Sequence, residues 1–126
     1  MTQSPKHIAN IRGKVRKGKQ RGASLGFPTA NIKLHKNIEE GIYISQATHN
    51  KQSLPALTFI GNAKTFGETE ILAETHFLTI SDDLYGRWIS IHLIKKIREN
   101  RKFASTSQLI KQMQKDRKIA RLHFNL

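Results

Sequence analysis

A small antiparallel β-barrel carrying one late helix is the architecture this sequence predicts, and three observations predict it. Apolar residues recur at every second position over much of the chain. Ile89, Ile91 and Leu93, separated by Ser90 and His92, have the period of a strand with one buried and one wet face. Runs of this kind are short and are punctuated by Gly, Asn and Asp, as in hairpin-connected β structure. After Ser105 the apolar period lengthens to that of a helix. At 126 residues the chain suits one domain over 1–126, with a core from about residue 8 to residue 122.

Each element can be justified in order. Ile8, Ile11 and Val15 read as the start of folded structure. Pro28 forces Phe27 into an extended conformation, so Thr29-Ala30-Asn31 begins or continues a strand. Ile42-Tyr43-Ile44 follows Gly41, and the polar tip His49-Asn50-Lys51 predicts a hairpin turn. Leu54 to Ile60 is the returning strand, with Pro55 near its start, where a missing N–H is tolerated. Ile71 to Ile80 predicts a longer strand, ended by Ser81-Asp82-Asp83, whose side chains favour turns. Ile89 to Leu93 is the last strand. Ser105-Thr106-Ser107-Gln108 then matches a capping box. Leu109, Ile110, Met113 and Ala120 follow at helical spacing, with Lys111, Lys115 and Lys118 mostly elsewhere around the helix.

Composition narrows the function classes. Hydrophobic residues make up 37% and charged residues 25%, a globular balance that excludes wholesale disorder. The chain has no cysteine, which excludes disulfide scaffolds, zinc ribbons and thiol nucleophiles. Neither a membrane-spanning run nor the apolar core of a secretory signal is present. The acid-free, basic stretch Lys6 to Arg21 superficially resembles a transit peptide, but folded structure starts inside it, so a cytoplasmic location is expected. With 22 Lys+Arg against 9 Asp+Glu, the formal net charge is +13. Such a surface attracts nucleic acid, anionic lipid or a phosphorylated small molecule.

Two constellations carry candidate chemistry, and one decoy is discarded. Gly13 to Lys19 has P-loop spacing, but Gln20 stands where a Mg²⁺-binding Ser or Thr is needed and no helix can follow. Gly18, Gly22 and Gly26 at intervals of four suit a loop whose backbone N–H groups approach phosphates, with Lys17, Lys19 and Arg21 adding positive charge. On the strand after Pro28, Thr29 and Asn31 share a face and offer neutral oxygens to a hard cation such as Mg²⁺. An ordinary basic loop feeding a strand accounts for the same residues. Glu74 and His76 share one face of the long strand, with Ala73, Thr75 and Phe77 on the other. A carboxylate there serves as a general base or pairs with a cation on a solvated face. The remaining histidines show no metal-ligand spacing, and no nucleophile elbow occurs. Aromatics are sparse for a nucleic-acid binder, and Tyr43, Phe59, Phe66, Tyr85 and Trp88 read as core or turn residues. A single-strand-binding barrel nevertheless stays open as the alternative.

Gly22-Ala23-Ser24-Leu25-Gly26-Phe27-Pro28-Thr29-Ala30-Asn31 resembles the G-x-x-L-G-F-P-T-A-N signature of riboflavin kinases (flavokinases). The downstream order is similar too: Gly41-Ile42-Tyr43, Ile60-Gly61, Thr65-Phe66, Glu74-Thr75-His76, Asp83-Leu84-Tyr85-Gly86, Ile97-Arg98, Lys102-Phe103 and Asp116. The resemblance runs from about Ile11 to Arg121. It implies a six-stranded antiparallel Greek-key β-barrel with a C-terminal helix, and ATP-dependent phosphorylation of the riboflavin ribityl 5′-hydroxyl to FMN. It further implies that Thr29 and Asn31 hold Mg²⁺ and the nucleotide phosphates and that Glu74 is the catalytic base. Gly18, Lys19, Arg21, Gly22, Gly26 and Pro28 would cover the nucleotide. Asp83, Leu84, Tyr85, Gly86 and Arg98 would border the flavin.

The sequence departs from the family pattern in three places. Ala23 and Ser24 stand where an Arg is common, leaving Arg21 or Lys19 to replace it. Lys64-Thr65-Phe66 replaces Pro-Thr-Phe, and Ile97-Arg98-Glu99-Asn100 replaces Leu-Arg-Pro-Glu. Bacterial relatives often carry an FMN adenylyltransferase domain for which this sequence has no room, so FAD synthesis is not expected. The expected partners are the small molecules riboflavin and ATP, with no membrane, nucleic acid unfavoured, and a monomer.

Overall fold

The computed structural model describes residues 9–16, 29–65, 68–80 and 84–126. These form β1 (Ala9–Lys14), β2 (Thr29–Lys33), β3 (Gly41–His49), β4 (Gln52–Thr65), β5 (Glu68–Phe77), β6 (Trp88–Arg98) and α1 (Thr106–His123). Ile8, the Gly18–Gly26 loop, Pro28, Phe66 and the Ser81–Asp83 turn lie outside the described residues.

Every strand pairing is antiparallel, and the spatial order is β1-β6-β3-β4-β5-β2. Strands β3, β4 and β5 form a meander and β6 returns beside β3, which is a Greek key. The turn from β3 to β4 is a two-residue one. Asn50 and Lys51 have φ of 50° and 63°, the left-handed pair that matches strand twist. The two edge strands meet just beyond β1, where Arg16 N donates to Asn31 O at 2.8 Å. Closure needs Gly13, because a Cβ there would run into Cγ2 of Ile32 on β2. Gly13 and Lys14 thus lie in a strand, and Gly18 to Gln20, where a P-loop helix would open, lie outside the described residues.

Alternation fills the barrel. Ile89, Ile91 and Leu93 of β6 are fully buried, and Ile11, Ile32, Tyr43, Ile60 and Phe77 join them inside. Alanines 30, 47, 56 and 73 are also fully buried and leave room for these larger side chains. Burial pushes the Tyr43 phenol pKa above its ordinary value, and its O–H donates to Glu39 O. A chain of hydroxyls crosses the interior: Ser45 and Thr58 lie 2.8 Å apart, and Thr58 and Thr75 2.9 Å. All three side chains are fully buried, so each must find its partners within the protein.

The outside of the sheet is partly apolar as well. Ile42, Ile44 and Leu57 pack against Ala120 of α1, joined by Ile94 and Ile97. Two register shifts between β3 and β6 accommodate the last pair, since a bulge re-aims side chains without ending the strand. Ser105 caps α1 by accepting from Gln108 N at 3.2 Å. The Gln108 side chain reaches back to Ala104 N, one residue earlier than a strict capping box requires.

Three expectations need correction. Strand β5 ends at Phe77, not Ile80, because Leu78 leaves the alternation to bury itself with the residues beneath α1 and donates to Pro55 O at 3.0 Å. Strand β4 is longer than Leu54 to Ile60. Trp88 and Phe59 are not core residues, being 56% and 37% exposed, because both stand on the outer face of their strands.

At the seam, Glu70 receives Arg16 Nη2 at 3.3 Å and Lys33 Nζ at 3.4 Å. Partial burial would raise the Glu70 pKa, but these two cations together hold it below the ordinary value. Its stabilising contribution is therefore complete above the ordinary carboxylate pKa and is lost as pH falls through the lower, folded one. Glu70→Gln should lower Tm slightly at neutral pH and low salt, and the difference should vanish in acid and in high salt. Thr58→Val, which keeps the shape but removes the shared hydroxyl, should cost about 1–3 kcal/mol in urea unfolding.

Candidate active site

Strand pairing assembles the site. Thr29 stands opposite His76, and Asn31 opposite Glu74, across β2 and β5. Directly paired side chains share a face, so four polar groups gather on the outer side of the sheet. Their placement is enforced from within: Ala73, Thr75 and Phe77 are buried in the barrel, and a one-residue slip would drive Glu74 inside. Thr29 Oγ1 donates to Glu74 Oε2 at 3.4 Å. Asn31 is buried, and its Nδ2 has no hydrogen-bond partner among the described residues. A buried amide in that state is costly unless something else completes it.

Thr29, Glu74 and His76 form the polar end of a cavity of about 670 Å³, within the usual range for a small-molecule site. Ile42, Leu57 and Phe59 line it from the sheet, and Leu109 and Met113 from α1. Arg101, Lys102 and Phe103 complete the lining between β6 and α1. The cavity exists because α1 packs on one part of the sheet's outer face and leaves a gap over the rest.

Arg98 and Asp116 hold that gap open at its end. Arg98 Nε donates to Asp116 Oδ1 at 2.8 Å and Nη2 to Oδ2 at 2.7 Å. Gln112 Nε2 adds a bond to Oδ1 at 2.9 Å. The bidentate fork fixes α1 against the end of β6 with a defined geometry that a lysine cannot reproduce. The Arg98 and Arg101 guanidiniums lie 5.9 and 5.3 Å from the Phe103 ring centroid, in cation–π range. Asn100, where the family has a different residue, donates to Glu40 Oε1 and to Ile60 O, tying this segment to β4.

Among the sequence-predicted residues, the structure brings Thr29, Asn31, Glu74 and Arg98 to this side of the sheet. Leu84, Tyr85 and Gly86 do not line the cavity. They form a turn in which Arg87 N donates to Leu84 O and Gly86 N to Val15 O, with Leu84 and Tyr85 packed against the barrel interior. Gly18, Lys19, Arg21, Gly22, Gly26, Pro28 and Asp83 lie outside the described residues. Sequence reasoning missed His76, Phe59, Arg101, Phe103, Leu109 and Met113 as site residues. The triplet Arg101-Lys102-Phe103 immediately before a helix cap was the available signal. Leu109 and Met113 read only as a helix's core stripe.

No group of three or more His, Cys, Asp or Glu among the described residues is arranged to hold a metal. The available donors are a hydroxyl, an amide and one carboxylate. Such oxygens fit Mg²⁺, which keeps waters and takes phosphate oxygens as further ligands. Arg98→Ala should strand the buried Asp116 charge and cost about 3 kcal/mol of stability. Arg98→Lys should lie between that variant and the parent, with thermal unfolding as the measurement.

The family model described as riboflavin kinase (flavokinase) matches residues 5–124. The bifunctional riboflavin kinase/FMN adenylyltransferase of Escherichia coli strain K12 is 36% identical over 123 residues, covering 95% of this chain and 39% of that protein. The chain therefore spans about two fifths of the length of such a relative. Riboflavin kinase from Trypanosoma brucei has a similar crystal structure, with a TM-score of 0.63 at 27% identity over 92% of this chain and 79% of that one. A Streptococcus pneumoniae structure described as a macrolide-efflux protein gives a TM-score of 0.80 at 30% identity, over 89% of this chain and 38% of that one. The family match and the similarity of fold agree, and the chain belongs to the riboflavin kinase family.

Proposed function

We propose that this protein transfers the γ-phosphate of ATP to the ribityl 5′-hydroxyl of riboflavin, giving FMN and ADP. The observation that carries this reading is the Glu74 carboxylate, hydrogen-bonded by Thr29 at one end of a cavity whose sheet and helix walls carry Ile42, Leu57, Phe59, Leu109 and Met113, with Arg98, Arg101 and Lys102 also in the lining. A flat, largely apolar ring system suits the slot between Leu57 and Phe59 on one side and Leu109 and Met113 on the other. Its polyol tail would then point toward the polar end.

Phosphoryl transfer asks the protein for alignment and for stabilisation of charge rather than for covalent chemistry. Glu74 accepts the hydrogen bond of the ribityl hydroxyl, which orients the attacking oxygen and gives its proton a place to go. Thr29 holds the carboxylate in position. Thr29 Oγ1 and the Asn31 side-chain oxygen are the groups that would hold Mg²⁺, which when bound supplies charge neutralisation at the phosphates. A phosphate oxygen brought there with the metal would accept from Asn31 Nδ2. Gly18, Lys19, Arg21, Gly22, Gly26 and Pro28 are assigned to the nucleotide side and Asp83 to the flavin side on sequence alone, whereas Leu84, Tyr85 and Gly86 lie away from this cavity and are not assigned to it. No helix among the described residues is long and apolar enough to cross a membrane, and we place the activity in the cytoplasm, where ATP is plentiful.

Incubation with riboflavin, ATP and Mg²⁺, followed by chromatography, should yield FMN, and chelation of the metal should stop it. No FMN with any of several divalent metals and nucleotides, CTP included, would overturn the assignment. Glu74→Gln is nearly isosteric. It should leave riboflavin binding largely intact and lower kcat by roughly 10²–10⁴-fold, the range for a positioned base. Thr29→Ala and Asn31→Ala should weaken Mg–nucleotide binding as well as rate.

A further inference from the structure

The outer face of β1 and β6 carries a second group of side chains that the kinase reading leaves unused. Lys14 pairs with Trp88, Arg12 with Ser90, and Asn10 with His92. Paired residues share a face, and these six alternate with the buried Ile11, Ile89 and Ile91. The result is a polar surface on which the protein's sole tryptophan stands 56% exposed. Arg12 Cζ lies 5.5 Å from the Trp88 ring centroid, and Arg12 Nη1 donates to Ser90 Oγ at 3.2 Å. Gln46 and Thr48 of β3 extend the same rows beyond His92 and Ser90. None of these eight positions is acidic, and Arg87, also exposed, directly precedes the tryptophan.

An exposed indole on a strand is unfavourable to leave in water and cannot be accounted for by core packing. Here an arginine guanidinium lies over its ring, its cross-strand neighbour is a lysine, and the next rows carry hydroxyl, amide and imidazole groups. Three features coincide: a flat aromatic platform, flanking positive charge, and hydrogen-bonding groups at strand spacing. Stacked bases, phosphates and base edges or sugars are the complementary set. A duplex hides its base faces and an acidic peptide has none. Anionic lipid would call for several apolar side chains to insert, and this face has one.

We propose that the β1–β6 face binds single-stranded nucleic acid, with a base stacked on Trp88 and phosphates held by Arg12 and Lys14. β1 meets β2 at the seam, but the surface is separate from the cavity of the kinase site. None of Arg12, Lys14 and Trp88 lines the cavity. The proposal does not depend on the kinase activity.

Because Trp88 is the only tryptophan, its fluorescence reports on this face alone. The test titrates the protein, saturated with Mg–ATP to occupy any nucleotide site, with a 12-nucleotide oligothymidylate and with a duplex of equal charge. The expected result is quenching by the single strand, with affinity falling steeply as salt rises. By anisotropy of a labelled strand, Trp88→Ala should bind roughly tenfold more weakly and Trp88→Phe should recover most of the loss. The double change Arg12→Ala with Lys14→Ala should reduce the slope of log K against log salt by about 0.7 per charge removed. Equal affinity for duplex and single strand, or a Trp88→Ala protein that binds like the parent, would overturn the proposal and leave only diffuse attraction to polyanions. Displacement of the strand by ATP would overturn it too, as would a Trp88 response confined to vesicles containing phosphatidylserine.

Discussion

The register between β2 and β5 is the constraint on which the rest depends. It sets Asn31 against Glu74 and Thr29 against His76, and it is held from both sides. On its other side β5 is set by β4, where Thr58 is paired with Thr75 and Phe59 with Glu74 and the buried hydroxyls of Ser45, Thr58 and Thr75 form one chain. At the seam, Asn31 O also accepts from Arg16 N, so the residue proposed to bind metal and nucleotide is the one through which the barrel closes. A polar chain inside the barrel thus specifies the polar cluster outside it. Apolar burial would tolerate repacking more readily than unpaired hydroxyls would tolerate a slip.

The second requirement is that part of the sheet's outer face be apolar. Ile42, Ile44 and Leu57 give α1 a seat, and the two bulges in β6 turn Ile94 and Ile97 toward it. A helix seated only on that area overhangs the rest of the sheet, and the overhang is the cavity. Arg98 and Asp116 then fix its end. Arg98 borders the cavity, yet its Nε and Nη2 point at Asp116 and its Nη1 at Glu99 O. Its role toward a ligand is therefore to set the shape of the site and supply charge, with its hydrogen bonds directed into the protein.

Where one residue's neighbours in sequence decide its surroundings, the sequence was enough. Alternation put Glu74 and His76 on one face and Ala73, Thr75 and Phe77 on the other, and Ser105 capped the helix as its spacing required. The expected β5 lies three residues too far along the chain, because Leu78 and Ile80 continue an apolar pattern. Nothing local says that Leu78 turns away to join a cluster built from β3, β4 and α1. The same limit hid the cavity's far wall. Leu109 and Met113 have the period of a core stripe, and only the docking of α1 converts that stripe into the lining of a slot. Trp88 misled in the opposite sense, since a tryptophan heading an alternating strand reads as core until the strand's inner face is seen to be filled by Ile89, Ile91 and Leu93. The family signature supplied the roles of Thr29, Asn31 and Glu74. The physics of the residues alone left those roles balanced against plainer ones.

Charge is distributed by a related logic. Few acids must serve many cations, and those with described side chains are placed where geometry matters. Glu70 binds Arg16 and Lys33 at the seam, and Glu39 and Glu99 both meet Lys96, raising the lysine's pKa. Asp116 fixes the helix, while Glu40 takes amide donors from Asn62 and Asn100. Among the described residues, the four cations Arg16, Lys33, Lys96 and Arg98 answer these acids, and the formal net charge of +13 sets the field around the molecule. A field of that sign raises the local concentration of polyphosphates and speeds their capture. It would do so for nucleotide and for longer polyanions alike. Discrimination between them therefore rests on shape: a walled slot with a carboxylate at one end on β5, and an open, acid-free strand face with a single indole on β6.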